Sequence, residues 1–211
     1  MGVVVLNPRI FVKVLDRLRM RGVEIIVPVN GIDLNEISNK VKTIIVDREV
    51  YDRIAGKQNI GVNILVIEDE IKVDNIVEKA LCMLYGKKEY NEVIIGVDAG
   101  PGYVAYAVVA DGEVAELGKI SEAKIPELIR RVVETYPHRN MIIRIGASHK
   151  GPEIAFTILN LVEKYNIGVE LVEEENTTKP TILDINRKLR DKDINAAINI
   201  SFKPGNKVTL S

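Results

Sequence analysis

The stretch that decides the fold is VIIGVDAGPGYVAYAVV, residues 93–109. Val93–Val97 is almost wholly apolar, which predicts a strand buried on both faces in the centre of a sheet covered by helices. The glycines and the proline of residues 99–102 predict a tight reversal, and Tyr103–Val109 is rich in residues that favour strands. The stretch therefore predicts a β-hairpin with one carboxylate, Asp98, in its first strand.

A carboxylate in such a strand needs compensation. Its burial costs several kcal/mol unless it is paired, hydrogen-bonded or bound to a cation. Asp98 is therefore either a metal ligand or a hydrogen-bonded structural aspartate, and the other acidic residues of the chain bear on that choice.

Composition is that of a globular protein, with 46% apolar and 28% charged residues among 211. No run approaches the length of a membrane span, and no signal peptide is recognisable, so we expect a cytoplasmic protein with no membrane partner. The absence of tryptophan and the abundance of Ile, Val, Lys and Glu favour a thermophilic origin. The net charge of −1 predicts no overall attraction to nucleic acid, which would have to bind at a local patch. The single cysteine, Cys82, is predicted to be a core thiol.

Residues 1–88 are predicted to form a small flavodoxin-like α/β domain with a parallel sheet, because short apolar strands alternate with amphipathic helices. The predicted strands are 2–6, 23–29, 43–47 and 62–67. Asp47, at a strand end, is predicted to cap a helix or to pair with Arg48 or Arg53, and the weaker alternative is a phosphate acceptor. The sequence of this domain favours a docking or dimerisation module.

Residues 89–211 form the second predicted domain. Its order is a meander of three strands, followed by helix, strand, helix, strand and helix, which predicts a mixed five-stranded sheet flanked by helices. In such a sheet the first, fourth and fifth strands lie side by side. Asp98 and the acidic end of the fifth strand, Glu173–Glu175, then come close, and Asp193 at the start of the last helix can fold over the same edge. Carboxylates that converge in this way repel one another unless a cation is present, and an all-oxygen ligand set favours Mg²⁺ or Mn²⁺.

Four motifs in this order resemble the RNase H-like superfamily, in particular its RuvC-like and YqgF-like branch. They are IIGVDAG (94–100) followed by AYAVV (105–109), the loop IGASHKG (145–151), VEEENTT (172–178), and DINAAINI (193–200). Ala105 occupies a position where the family has glycine, and Glu175 replaces its arginine.

The resemblance implies a metal-dependent nuclease that hydrolyses phosphodiesters in structured nucleic acid, either a Holliday junction or RNA. Asp98, Glu174 and Asp193 then correspond to the catalytic and metal-binding acids, which hold two Mg²⁺ or Mn²⁺ ions about 3.5–4 Å apart. Asp191 or Glu173 is a candidate for a further ligand. The basic residues expected to contact phosphates are Lys150, Arg187, Lys188, Arg190 and Lys192.

Two alternatives remain open at the level of sequence. One is a nucleic-acid-binding or assembly protein that has the fold without efficient chemistry. The other is an ATP-dependent phosphotransferase of the actin-like fold, against which Pro101 and the short chain argue. Asp193 is also a candidate for a simple N-cap, and the run 187–192 for an exposed face. A resolvase needs two active sites, so the first function favours a homodimer.

Overall fold

The computed structural model describes residues 1–54, 61–148, 150–162, 165–173 and 191–209. The chain forms two compact units, one of Met1–Glu89 with Glu134–Pro137 and one of Tyr90–Val133 with His138–Ser211. Within the described ranges, no helix is both long enough and apolar enough to cross a membrane.

The first unit contains a three-stranded parallel sheet in the order β1-β2-β3, as the alternation of strands and helices predicts. Its elements are β1 (Gly2–Val4), α1 (Pro8–Met20), α2 (Asn35–Ser38), β2 (Thr43–Asp47), α3 (Arg48–Ile54), β3 (Asn63–Ile67) and α4 (Val73–Leu84). The side chains of β2 alternate between two hydrophobic clusters, one on each face of the sheet. Ile45 packs with residues of α1 and α4, whereas Ile44 and Val46 pack with residues of α2 and α3.

Two local predictions for this unit are wrong. Residues 23–29 form no full strand, because only Ile26 bridges to Gly2 at the outer side of β1. The sequence also predicts that Asp74 caps a helix starting near residue 75, but Asp74 lies 2.8 Å from Arg17 Nε of α1. Asp69 instead accepts the backbone N–H groups of Ile71 and Lys72, in the turn that precedes α4. Cys82 is fully buried, as predicted.

Asp47 is a buried capping residue, as one of its predicted roles requires, and it accepts three backbone hydrogen bonds. Its Oδ2 accepts from Leu6 N at 2.7 Å and from Asn7 N at 2.8 Å, and its Oδ1 accepts from Val50 N at 3.0 Å. The carboxylate thus joins the end of β1, the start of α1 and the first turn of α3.

Asp47→Asn is expected to destabilise the protein by about 2 kcal/mol, because an amide nitrogen cannot accept the hydrogen bonds that one carboxylate oxygen accepts. The measurement is the urea midpoint. The control is Asp52→Asn, because within the described part of the chain Asp52 forms only an exposed ion pair with Arg48, and we expect a change below about 1 kcal/mol there. Equal midpoints for the two variants would contradict the structural role of Asp47.

The second unit contains a six-stranded mixed sheet in the order β6-β5-β4-β7-β8-β9. Its elements are β4 (Tyr90–Ala99), β5 (Tyr103–Ala110), β6 (Glu113–Ser121), α5 (Ile125–Thr135), β7 (His138–Gly146), α6 (Gly151–Val162), β8 (Gly168–Val172), α7 (Lys192–Phe202) and β9 (Asn206–Lys207). The hairpin β4–β5 and the parallel neighbours β4, β7 and β8 confirm the predicted architecture. The sequence predicts five strands, whereas a sixth, β9, pairs antiparallel with β8.

Candidate functional site

The last helix, α7, packs closely on β4 because position 96 has no side chain. A Cβ atom on Gly96 would lie 2.2 Å from the carbonyl oxygen of Ala197 and 2.8 Å from the Cβ of Ser201. Such distances are shorter than any real contact of a Cβ atom. Gly96, the first glycine of the motif IIGVDAG, is therefore required for the packing of α7 on β4.

Small residues continue this interface into β5. Ala105, Ala107, Ala197 and Ile198 form one buried cluster between the sheet and α7. Ala105, at the position where the resembling family has glycine, is completely buried here. Its methyl group is thus compatible with the close approach of the helix.

Asp98 lies on the face of the sheet that α7 covers. Side chains alternate along a strand, so Asp98 shares the face of Gly96, which contacts the helix. Asp98 pairs with Ala105 of β5, which pairs in turn with Lys119 of β6. Paired residues face the same side, and the three positions form a row of about 10 Å across adjacent strands.

The N-terminus of α7 brings two further carboxylates to this row. Asp191 is the N-cap of α7, and its Oδ1 accepts from the N–H groups of Asp193 and Ile194. Lys119 Nζ lies 2.8 Å from Asp191 Oδ2 and 2.6 Å from Asp193 Oδ2. We call Asp191 and Asp193 the aspartate pair. The ammonium of Lys119 therefore bridges both members of the pair. Lys119 is the third position of the row across β4, β5 and β6 that starts at Asp98.

Tyr103 fixes Asp193 from a second direction. Its hydroxyl donates to Asp193 Oδ2 at 2.9 Å, and Lys119 Nζ lies 5.0 Å from the centre of its ring. The hydrogen bonds from Lys119 hold the pKa of both Asp191 and Asp193 below the usual range. The same contacts raise the pKa of Lys119, and the hydrogen bond to Asp193 raises the pKa of Tyr103. The aspartate pair is thus ionised and Lys119 is charged at neutral pH.

The other end of α7 is held by a largely buried ion pair. Arg144 of β7 donates to Glu170 Oε2 of β8 at 2.9 Å and to the carbonyl oxygen of Ser201 at 2.6 Å. The same Glu170 oxygen accepts from Gly205 N. A cation at the C-terminal turn of a helix is favourable for its exposed carbonyl groups. The helix is therefore fixed to the sheet at both ends.

One acidic residue of β6 belongs to the opposite face. Glu116 accepts from the hydroxyl of Tyr106 at 2.6 Å and pairs with Arg131 of α5. Burial and the contact with Glu116 raise the pKa of Tyr106 to about 12. Glu116 is thus engaged in packing α5 and is no candidate for the site.

The carboxyl edge is the sheet edge where β4, β6, β7 and β8 end. It contains Asp98, the aspartate pair and the start of the loop after β7. Lys192 is exposed beside the aspartate pair, and Lys150 lies near Glu122 Oε2 at 3.5 Å. Glu174, Arg187, Lys188 and Arg190, which the sequence assigned to the site, lie outside the described residues. Among the described residues, no group of three acids, histidines or cysteines is close enough to hold a metal ion.

Asp193 is not the N-cap that one interpretation of the sequence proposed, because Asp191 has that role. Sequence reasoning missed Lys119 and Tyr103. Both lie in predicted strands, and their shared face follows from the alternation of the meander once the hairpin register is known. Lys119 and Tyr103 are 74 and 90 residues from Asp193 in the sequence. Their contacts with it therefore produce no pattern that a local stretch of sequence could reveal.

The second unit is a mixed α/β sheet in which its first, fourth and fifth strands, β4, β7 and β8, lie side by side, as the sequence predicts. No family model matches the chain, and a search of curated proteins found no match. Among solved structures, the chain is similar to RuvC of Thermus thermophilus, with 12% identity and a TM-score of 0.39 over 52% of this chain and 90% of that one. The chain is also similar to RuvC of T. thermophilus in complex with a Holliday junction substrate, with 13% identity and a TM-score of 0.36. That similarity covers 52% of this chain and 90% of the RuvC chain.

Argonaute of Marinitoga piezophila, in complex with a 5′ OH guide RNA and target DNA, gives 13% identity and a TM-score of 0.31. That similarity covers 82% of this chain and 38% of the Argonaute chain. All of these TM-scores are below 0.5, so the description of the fold rests on the strand order itself.

Proposed function

We propose that the second unit hydrolyses phosphodiester bonds in structured nucleic acid with a divalent cation, Mg²⁺ or Mn²⁺, at the carboxyl edge. The observation that carries the proposal is that Asp98 and the aspartate pair lie on one face and at one edge of the sheet. Asp98 belongs to β4 and the aspartate pair to the start of α7, and carboxylates at one edge of a sheet repel one another unless a positive charge compensates them.

The donor chemistry of this edge fits a hard cation. The candidate ligands, Asp98, Asp191 and Asp193, offer only carboxylate oxygens, which Mg²⁺ and Mn²⁺ prefer. An ammonium already bridges the aspartate pair, so this position attracts positive charge. When bound there, a divalent cation supplies Lewis-acid chemistry, which lowers the pKa of water and neutralises charge on the phosphodiester.

The protein's own residues have separate roles in this proposal. Asp98 and Asp193 hold the cation, and Glu174 is the third ligand that the resemblance to the YqgF-like branch implies. Tyr103 orients Asp193 by its hydrogen bond. Lys192, exposed beside Asp193, contacts the phosphate backbone, with Lys150 and residues of the run 187–190 as further contacts.

The second candidate is a nucleic-acid-binding protein without cleavage activity. The specific observation in its favour is that Lys119 forms ion pairs with both members of the aspartate pair, while no group of three ligating side chains forms among the described residues. Binding would then depend on the basic residues alone and would weaken steeply with added salt.

The test uses four labelled substrates, namely a four-way junction, duplex DNA, single-stranded DNA and RNA, with Mg²⁺, Mn²⁺ or a chelator. Cleavage that requires the divalent ion supports the nuclease and identifies its substrate. Salt-dependent binding by fluorescence anisotropy without cleavage of any substrate would favour the second candidate. We also propose a homodimer, because cutting a four-way junction symmetrically requires two sites, and light scattering with and without the junction measures it.

A further inference from the structure

Lys119 lies at the carboxyl edge and is neither a proposed metal ligand nor a proposed phosphate contact. Its ammonium lies within 2.8 Å of both aspartates and over the ring of Tyr103. The ion pairs cross from the third strand of the meander to the first turn of α7, and two adjacent carboxylates share a single positive charge.

We propose that Lys119 is an internal counter-cation that competes with the divalent ion for Asp193. This inference rests on the proposed function, since it concerns the same site. The oxygen that Lys119 contacts most closely, Asp193 Oδ2, belongs to the acid that the motif DINAAINI assigns to the metal. A divalent ion that binds this oxygen must displace the ammonium or share the oxygen with it at a cost in repulsion.

The position of Lys119 explains why the acids can remain together without a bound ion. Without a positive charge, Asp191 and Asp193 would be adjacent like charges at the same helix N-terminus. The helix dipole and the lysine both offset this repulsion. Lys119 therefore stabilises the metal-free site and, for the same reason, lowers the affinity of the site for metal.

The test is a comparison of Mn²⁺ binding to the unsubstituted protein, Lys119→Met and Lys124→Met at constant ionic strength. Free Mn²⁺ is measured by electron paramagnetic resonance, and the thermal midpoint of each protein is measured with and without Mn²⁺. Lys124 is exposed and follows the end of β6, so Lys124→Met changes the net charge equally without touching the aspartate pair. Lys119→Gln repeats the test with a polar side chain if the Met variant folds poorly.

Lys119→Met is expected to bind Mn²⁺ about tenfold more tightly, because the divalent ion no longer has to displace an ammonium from Asp193 Oδ2. Without Mn²⁺, the thermal midpoint of Lys119→Met should be lower than that of the unsubstituted protein. Added Mn²⁺ should raise the midpoint of Lys119→Met by more than it raises the midpoint of the unsubstituted protein. Lys124→Met should bind Mn²⁺ as the unsubstituted protein does.

Equal or weaker Mn²⁺ binding by Lys119→Met, beside measurable binding by the unsubstituted protein, would overturn the inference and leave the proposed function intact. Tighter binding by Lys124→Met to the same extent would overturn it as well, because net charge alone would then explain the effect. Binding of Mn²⁺ by none of the proteins would overturn the inference and count against the proposed function. Mn²⁺ binding by the unsubstituted protein therefore distinguishes a failure of this inference from a failure of the proposed function.

Discussion

Replacing Gly96 with alanine is expected to lower the free energy of unfolding by about 3 kcal/mol, at the upper end of the usual cost of overpacking. The added Cβ would meet the backbone oxygen of Ala197 at 2.2 Å, and a helix backbone cannot yield as the end of a flexible side chain can. The helix α7 must therefore move away from β4, and the cluster around Ala105 and Ala197 must open. The thermal midpoint is expected to fall by about 10 °C.

Gly168→Ala is the matched control for this prediction. Gly168 also lies in a strand of the same sheet, and among the residues that the structure describes a Cβ there would meet only Ile142 Cγ1, at 3.9 Å, an ordinary contact. Alanine in a strand costs less conformational entropy than glycine, so we expect an unchanged or slightly higher midpoint. A similar loss in both variants would show that glycine at position 96 serves the strand itself and not the contact with α7.

The order of the strands in the second unit could be predicted from sequence because its signals are local. The apolar runs at 93–97 and 141–145, the turn at 99–102 and the helical spacing of residues 125–136 each act within one element. The mixed sheet follows from these elements by general rules of connection. The same reasoning failed at residues 23–29. This apolar run was predicted to be a strand, but it forms a single bridge, between Ile26 and Gly2.

The candidate site could be predicted only in part, because its geometry depends on pairs that are far apart in sequence. The motifs indicated Asp98 and Asp193 as candidates. Lys119 was not a candidate, since a lysine in an exposed strand of a meander is ordinary, and its role depends on the register that aligns it with Asp98. Arg144 in an otherwise apolar strand was visible in the sequence, but its partners Glu170 and Ser201 became evident only from the packing of α7.

The same small residues that pack α7 also position the site. Gly96 precedes Asp98 by two residues on one strand face, and Ala197 follows Asp193 by one helical turn. The distance between sheet and helix at Gly96 therefore sets the distance between the acid of β4 and the acids of α7. A substitution at Gly96 that leaves the protein folded should consequently weaken Mn²⁺ binding as well as stability.

Asp98→Asn is expected to reduce divalent-dependent cleavage of the preferred substrate by at least about 100-fold. Loss of one ligand charge removes about 3 kcal/mol or more of stabilisation from the transition state, of the order that a catalytic metal provides. The fold should tolerate the change, because asparagine has nearly the same shape and Asp98 is only half-buried. The measurement is the single-turnover rate with saturating protein, together with the thermal midpoint and Mn²⁺ affinity.

Asp111→Asn provides the control on the same sheet. Asp111 lies in the turn between β5 and β6, at the opposite edge, with a positive φ of 47° that asparagine also adopts. Its Oδ1 accepts from Glu92 N, and an amide oxygen can do the same. Cleavage by this variant should equal that of the unsubstituted protein. If Asp98→Asn also retained full cleavage while both variants stayed folded, Asp98 would be a structural aspartate and the active acids would lie elsewhere.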